Sequence, residues 1–150
     1  MKTNLRAIKH YELCLTGWRT LLKHLGKTEA DDAPISLLTI LESNGFDDAL
    51  WCLRAVEGFE REKRLFAVFC AKQVSHLMKD KRSLEALEVA KRYANDLATD
   101  EELKEASDAA SWAASAASDA SAARAAIRTG QEKEFVRMLN CIENCEVYTI

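Results

Sequence analysis

Apolar residues recur every three or four positions along almost the whole chain, which is the spacing that places side chains on one face of an α-helix. The first stripe runs from Asn4 to Leu25 and predicts one long helix, which Gly26 would end. No pair of β-branched runs marks a β-hairpin. The pattern therefore predicts about seven helices.

Four more helices are expected before residue 99. Asp32 is a candidate N-cap, and Pro34 suits the first turn of a short helix over 34–42. The next helix, "FDDALWCLRAVEG", would be capped by Asp47. Two others are predicted over "EREKRLFAVFCAKQVSHLMK" and "SLEALEVAKRYANDLA", the second opening at Ser83.

The segment "ASDAASWAASAASDASAARAA", residues 106–126, is the most unusual part of the chain. It follows a capping box formed by Thr99 and Glu102. On a helical wheel its alanines fall on one side, and its serines and aspartates fall mostly on the other, unlike a linker or a membrane span. We therefore predict a long amphipathic helix that ends at Gly130, followed by a last helix over "QEKEFVRMLNCIENC".

Together these elements predict an all-α fold, with one domain over residues 1–150. Its architecture would be a compact multi-helix array of about seven helices around the long Ala-rich helix. With 48% hydrophobic and 30% charged residues and a net charge of −3, the 150-residue chain has the composition of a soluble globular protein. No export signal or membrane span is evident, and the five cysteines fit free thiols in a reducing cytoplasm. The mild acidity argues against binding to nucleic acid.

Motifs for catalysis are lacking in the sequence. It contains neither a G-x-S-x-G elbow nor a phosphate-binding loop. The paired acids, such as "DD" at 31–32 and 47–48 and "DEE" at 100–102, fall at predicted helix starts, where the helix dipole favours negative charge. We therefore expect no enzyme activity from these groups and no bound cofactor.

One metal arrangement stays open as an alternative. His10 and Cys14 are four residues apart, as are Cys141 and Cys145, so each pair could direct two ligands to one zinc ion if the two terminal helices meet. The C-x-x-C knuckles of common zinc sites are absent. The prediction is therefore that no metal is bound.

Two tryptophan regions are candidates for partner binding. Trp51 lies about one turn from Arg54 and shares a helix face with Asp47. This trio is either a core tryptophan braced by an Asp–Arg pair or part of a partner-binding groove. Trp112, at the border of the alanine face, and the nearby Asp108 form the second region.

The segments "DDALWCLRAV", "RLFAVFCAKQV" and "SLEALEVAKRYANDLATDEELKEASDAASWAASAA" resemble a family of all-helical immunity proteins from bacteria and phages, of the Imm5-like type. The resemblance covers residues 46–127. It implies a cytoplasmic protein that binds and neutralises a toxin without catalysis.

The expected function is therefore a non-enzymatic inhibitor that acts by direct protein–protein binding. Its target would be a toxin or, for a phage-borne copy, a host defence or replication protein. Two alternatives stay open. The first is a zinc- or small-ligand-binding helical protein or enzyme, and the second is a self-assembling structural protein whose alanine face forms a homodimer.

Overall fold

A computed structural model describes residues 1–12, 14–77, 80–111 and 123–150. Within this part the chain forms eight α-helices and one small antiparallel sheet, so the predicted all-α class is confirmed. The helices are α1 Leu5–His10, α2 Leu15–His24, α3 Leu37–Asn44, α4 Phe46–Trp51, α5 Glu60–Lys72, α6 Lys81–Ala94, α7 Asp100–Ser111 and α8 Ala123–Glu143. Short 3₁₀ turns cover Cys52–Ala55 and Ser75–Leu77. The strands are β1 Lys2–Thr3 and β2 Ile35–Ser36.

Contacts between residues divide the chain into two compact units. Unit 1 comprises residues 1–59 and 139–146, and unit 2 comprises residues 60–138 and 147–150. The largest fully buried side chains of unit 1 are Leu5, Ile8, Leu21, Leu37, Ile40, Cys52 and Leu139. Those of unit 2 are Leu65, Phe135, Met138 and Tyr148.

The prediction of one helix from Asn4 to Leu25 is wrong, because the chain forms α1 and α2 with a break between them. The buried residues are Leu5 and Ile8 in α1 but Gly17 and Leu21 in α2. At about 100° per residue, one continuous helix would place these two pairs roughly 170° apart, on opposite sides. The left-handed backbone of Glu12, with φ 59°, changes the direction of the chain so that both pairs are buried.

Asp32 and Pro34 do not begin a helix, contrary to prediction. Residues 35 and 36 instead form β2, in which Ile35 pairs with Thr3 of β1. The cap of α3 is Ser36, whose hydroxyl accepts a hydrogen bond from the Leu38 amide at 3.0 Å. A two-residue strand leaves too weak a sequence signal to be distinguished from a loop.

Several boundaries of later helices also differ from expectation. Helix α6 begins at Lys81 rather than at Ser83. Its cap is Asp80, whose carboxylate accepts a hydrogen bond from the Arg82 amide at 2.8 Å.

Asp47 does not cap α4, because Gly45 takes the N-cap position with φ 85° and places Asp47 in the first turn. Gly130 does not end a helix, because α8 continues through it. Phe135 and Met138, both fully buried, lie in the next turns. Their burial outweighs the cost of about 1 kcal/mol for an interior glycine.

The predicted capping box is confirmed at the start of α7. The Thr99 amide donates to Glu102 Oε2 at 2.8 Å, and the Glu102 amide donates to Thr99 Oγ1 at 3.2 Å. The middle of the predicted Ala-rich helix, residues 112–122, lies outside the described residues, and its two flanks belong to α7 and α8.

Candidate functional site

The predicted trio of Asp47, Trp51 and Arg54 follows one stripe at the surface of unit 1. Asp47 and Arg54 are exposed, and Trp51 between them is half-buried. The Arg54 guanidinium lies 5.4 Å from the centre of the Trp51 ring, within the range of a cation–π contact. The Trp51 ring thus forms an aromatic surface with the negative charge of Asp47 on one side along the chain and the positive charge of Arg54 on the other.

The helix that carries this stripe is held by a polar contact at its base. The Asn44 side-chain amide donates to the Gly17 carbonyl of α2 and to Asp48 Oδ2 of α4, both at 2.8 Å. An ideal Cβ placed on Gly17 would lie 2.4 Å from Asp48 Oδ2, so α2 and α4 can approach this closely only because residue 17 has no side chain. Gly17 therefore sets the position of the Trp51 helix.

Replacing Gly17 by alanine should lower the free energy of unfolding by about 1–3 kcal/mol, because the new methyl group displaces the Asp48 carboxylate from Asn44. The same substitution in an Asp48→Ala background should instead stabilise by about 0.5–1 kcal/mol, because alanine is the better helix former. Urea denaturation of the four chains of this cycle measures both values. Equal effects of Gly17→Ala in the two backgrounds would contradict the proposed contact.

The second predicted region is only partly described. Asp108 is exposed on α7 in unit 2, whereas Asp47, Trp51 and Arg54 belong to unit 1. Trp112 lies outside the described residues.

The thiols of Cys52 and Cys70 are not activated for nucleophilic attack. Burial, with a smaller contribution from Asp48, raises the pKa of Cys52 to about 12. Burial, with a smaller contribution from Glu134, raises the pKa of Cys70 to about 11. Cys52 is fully buried, whereas Cys70 is only half-buried. Both therefore remain protonated thiols at neutral pH, and the reactive form of cysteine is the thiolate.

The four residues considered for zinc all lie in unit 1. Cys14 caps α2, where its Sγ accepts a hydrogen bond from the Gly17 amide at 3.3 Å. His10, Cys14 and Cys145 are exposed and Cys141 is half-buried. Among the described residues, no group of three or more His, Cys, Asp or Glu side chains could hold a metal ion.

Several of the paired acids have structural partners. Asp31 forms an ion pair with Lys27 at 2.6 Å, in the loop before β2 rather than at a helix start. Asp100 accepts a hydrogen bond from the Tyr93 hydroxyl at 2.5 Å, and Glu102 pairs with Arg92 at 2.6 Å. The contacts of Asp100 and Glu102 join α6 to α7 and give these two acids a structural role.

A groove of about 250 Å³ runs between α6 and α7. Its lining includes the small apolar side chains of Ala86, Val89 and Ala106 and the charged side chains of Arg82, Glu85 and Glu105. Sites for drug-sized ligands are mostly apolar and enclose about 300–1,000 Å³. The small volume and charged walls give little support to a small-molecule site here.

Several hydrogen bonds in unit 2 surround residues 147–150, hereafter the docked segment. Three consecutive main-chain oxygens each accept a hydrogen bond from a cationic side chain. Arg61 of α5 donates to Tyr148 O at 2.7 Å, Arg137 of α8 to Thr149 O at 2.6 Å, and Lys91 of α6 to Ile150 O at 2.6 Å. The segment is thereby attached to three helices.

Tyr148 is the anchor of the docked segment, and only 1% of it is exposed. Its hydroxyl donates to Glu134 Oε1 at 3.0 Å, and the Arg137 guanidinium lies 4.8 Å from its ring centre. Arg137 also pairs with both carboxylate oxygens of Glu134, at 2.5 and 3.0 Å. Hydrogen bonds from Arg137 and Tyr148 hold the pKa of Glu134 below its usual value, although burial opposes the shift. The carboxylate therefore stays charged at neutral pH.

Sequence reasoning missed this site. The sequence signal is weak, because the adjacent apolar residues Val147 and Tyr148 interrupt the alternation of apolar and polar positions in "CEVYTI". Alternation is typical of an extended segment with one buried side. Its partners in α5 and α6 are 59 to 87 residues away, so local patterns do not identify them.

No helix in the described part of the chain is both long enough and apolar enough to cross a bilayer. Comparisons with protein-family models, with curated proteins and with solved structures give no significant match to this chain.

Proposed function

We propose that this chain is a non-enzymatic protein that acts by binding a partner protein through the Asp47–Trp51–Arg54 stripe. The observation that carries the proposal is the Arg54 guanidinium stacked on the half-buried Trp51 ring at the surface of unit 1. Tryptophan and arginine are the residue types most enriched among those that dominate binding energy at interfaces. A partner that covers Trp51 and Arg54 would exclude water from a contact surface that is already formed in this chain.

The state of the thiols supports a role without catalysis. Burial keeps Cys52 and Cys70 protonated at neutral pH, which removes two of the five cysteines as nucleophiles. The capping and ion-pair contacts of Asp100 and Glu102 give these acids a structural role. Binding needs none of these groups.

The resemblance to immunity proteins supplies the class of partner. Under it, the target is a toxin or, for a phage-borne copy, a host defence or replication protein. A net charge of −3 favours a basic partner, because complementary charge raises the rate of association. The proposal places this encounter in the cytoplasm.

Trp51→Ala and Arg54→Ala should each weaken partner binding by at least about 30-fold, which corresponds to about 2 kcal/mol for an interface hot spot. Tagged wild-type chain first captures its partner from a lysate of its own organism, and titration calorimetry with the purified partner then measures Kd. Arg19→Ala is the matched control, because Arg19 is an exposed arginine of unit 1 outside the stripe.

Retention of wild-type affinity by both stripe variants would refute the assignment of this surface. Loss of affinity in Arg19→Ala as well would show that binding follows overall charge rather than the stripe. Absence of any stoichiometric partner would refute the binding function itself.

A further inference from the structure

We propose that the cleft that holds the docked segment is a peptide-binding site, for an extended tyrosine-containing segment of another protein. In the structure the chain's own residues 147–150 fill it. This site belongs to unit 2, so the inference goes beyond the proposed function and does not depend on the Trp51 stripe.

The main-chain contacts support recognition of a peptide in general. Arg61, Arg137 and Lys91 donate to three successive main-chain oxygens at 2.6–2.7 Å. Every extended peptide presents such oxygens, so these bonds do not require the chain's own sequence. Charge-assisted hydrogen bonds of this kind are about twice as strong as neutral ones. The three cations therefore strengthen the binding of an extended peptide and fix the direction in which it lies.

The tyrosine pocket supplies specificity. The Tyr148 ring is buried under the Arg137 guanidinium, and its hydroxyl donates to the Glu134 carboxylate. A phenylalanine would leave that carboxylate without one donor, and a smaller side chain would leave the pocket partly empty. By contrast, Val147 is 76% exposed and contributes little to recognition. The cleft thus selects tyrosine followed by two residues of any extended chain.

The connection between α8 and the docked segment allows exchange. Cys145, just beyond α8, adopts a left-handed backbone with φ 58° that caps the helix. The Cys145 amide donates to Ile142 O at 3.2 Å and the Glu146 amide donates to Cys141 O at 2.7 Å. Because this cap precedes the docked segment, release of residues 147–150 does not require it to break. Because residues 147–150 are covalently attached, they compete with a free peptide for the cleft at an effective concentration on the order of millimolar. A free peptide therefore binds well only when the binding of the docked segment is weakened.

The test uses the full chain with Tyr148→Ala, which empties the pocket and keeps the main-chain oxygens. A fluorescein-labelled peptide, Glu-Val-Tyr-Thr-Ile, is titrated and followed by anisotropy, with helicity recorded in parallel by circular dichroism. We expect the variant to bind the peptide at least about tenfold more tightly than the wild type does, because the attached competitor is lost. If the variant has lost helicity, saturating peptide should restore it, since a ligand of the native state stabilises that state.

Tyr148→Leu serves as a second variant, because it keeps an apolar side chain in the pocket and so favours folding. It too should bind the peptide more tightly than the wild type does. Val147→Ala is the matched control in the docked segment and should bind no better than the wild type. A peptide with alanine in place of tyrosine should not bind.

Three results would overturn the proposal. In the first, neither Tyr148 variant gains affinity for the peptide or recovers helicity. In the second, the alanine peptide binds as well as the tyrosine peptide, which would indicate attraction to the cations alone. In the third, Val147→Ala gains as much affinity as the Tyr148 variants. None of these results bears on the Trp51 stripe, so the two proposals fail independently.

Discussion

Tyr148→Ala should lower the free energy of unfolding by about 3–5 kcal/mol, the usual cost of removing a large buried aromatic side chain. Tyr148 is 1% exposed, and its ring packs under Arg137. Tyr148→Phe keeps the ring and loses only the hydrogen bond to Glu134, so a smaller cost of about 1 kcal/mol is expected. Guanidinium denaturation followed by circular dichroism measures both values.

The matched control is Tyr11→Ala, because Tyr11 is 46% exposed in the turn after α1. Surface substitutions of this kind usually change stability by less than about 0.5 kcal/mol. Equal losses for Tyr148→Ala and Tyr11→Ala would mean that the docked segment is not packed in solution as the structure shows. The result would also remove the basis for the peptide site.

The second large effect is a steep loss of stability in alkali. The folded pKa values of Cys52, about 12, and Cys70, about 11, both lie above the ordinary value of 9.0. Burial raises the pKa of Tyr148 above its ordinary value of 10.0, with a further contribution from Glu134. The unfolded chain therefore loses these protons at a lower pH than the folded chain does, so the stability is intact below pH 9 and is lost as pH rises.

Each such group should remove about 1.4 kcal/mol per pH unit once its unfolded form has ionised. Cys52→Ala should flatten the stability curve by about that slope between pH 9 and 12. Urea unfolding at intervals from pH 7 to 11 measures the curves. Parallel curves for wild type and Cys52→Ala would contradict the burial of this thiol.

Local signals predicted some parts of the fold well. The Thr99–Glu102 capping box lies where the sequence placed it, because both hydrogen bonds join residues three apart. Gly26 ends α2 with φ 64°, as expected for a residue just after a helix. Such features depend on neighbours along the chain, so a pattern of a few residues is sufficient to predict them.

Other features depended on contacts that the pattern does not contain. The apolar stripe from Leu5 to Leu25 is regular, yet Tyr11 and Leu15 are 46% and 64% exposed while Gly17 is buried. The close approach of Asp48 to Gly17 explains why a glycine is buried here, because the position in contact with α4 must be the smallest rather than the most apolar one. The exposure of Trp51 between Asp47 and Arg54 was likewise left open by the sequence and is set by how α4 packs.

The helical class and several helix ends were determined by the sequence itself, because helical periodicity and capping act over three to seven residues. Tertiary structure alone decided the break between α1 and α2, the passage of α8 through Gly130, and the site around Tyr148. In each case the free energy comes from contacts between residues distant along the chain, such as Arg61 with Tyr148. Those contacts outweigh local helix preferences of about 1 kcal/mol per residue. They cannot be identified from any short stretch of the sequence.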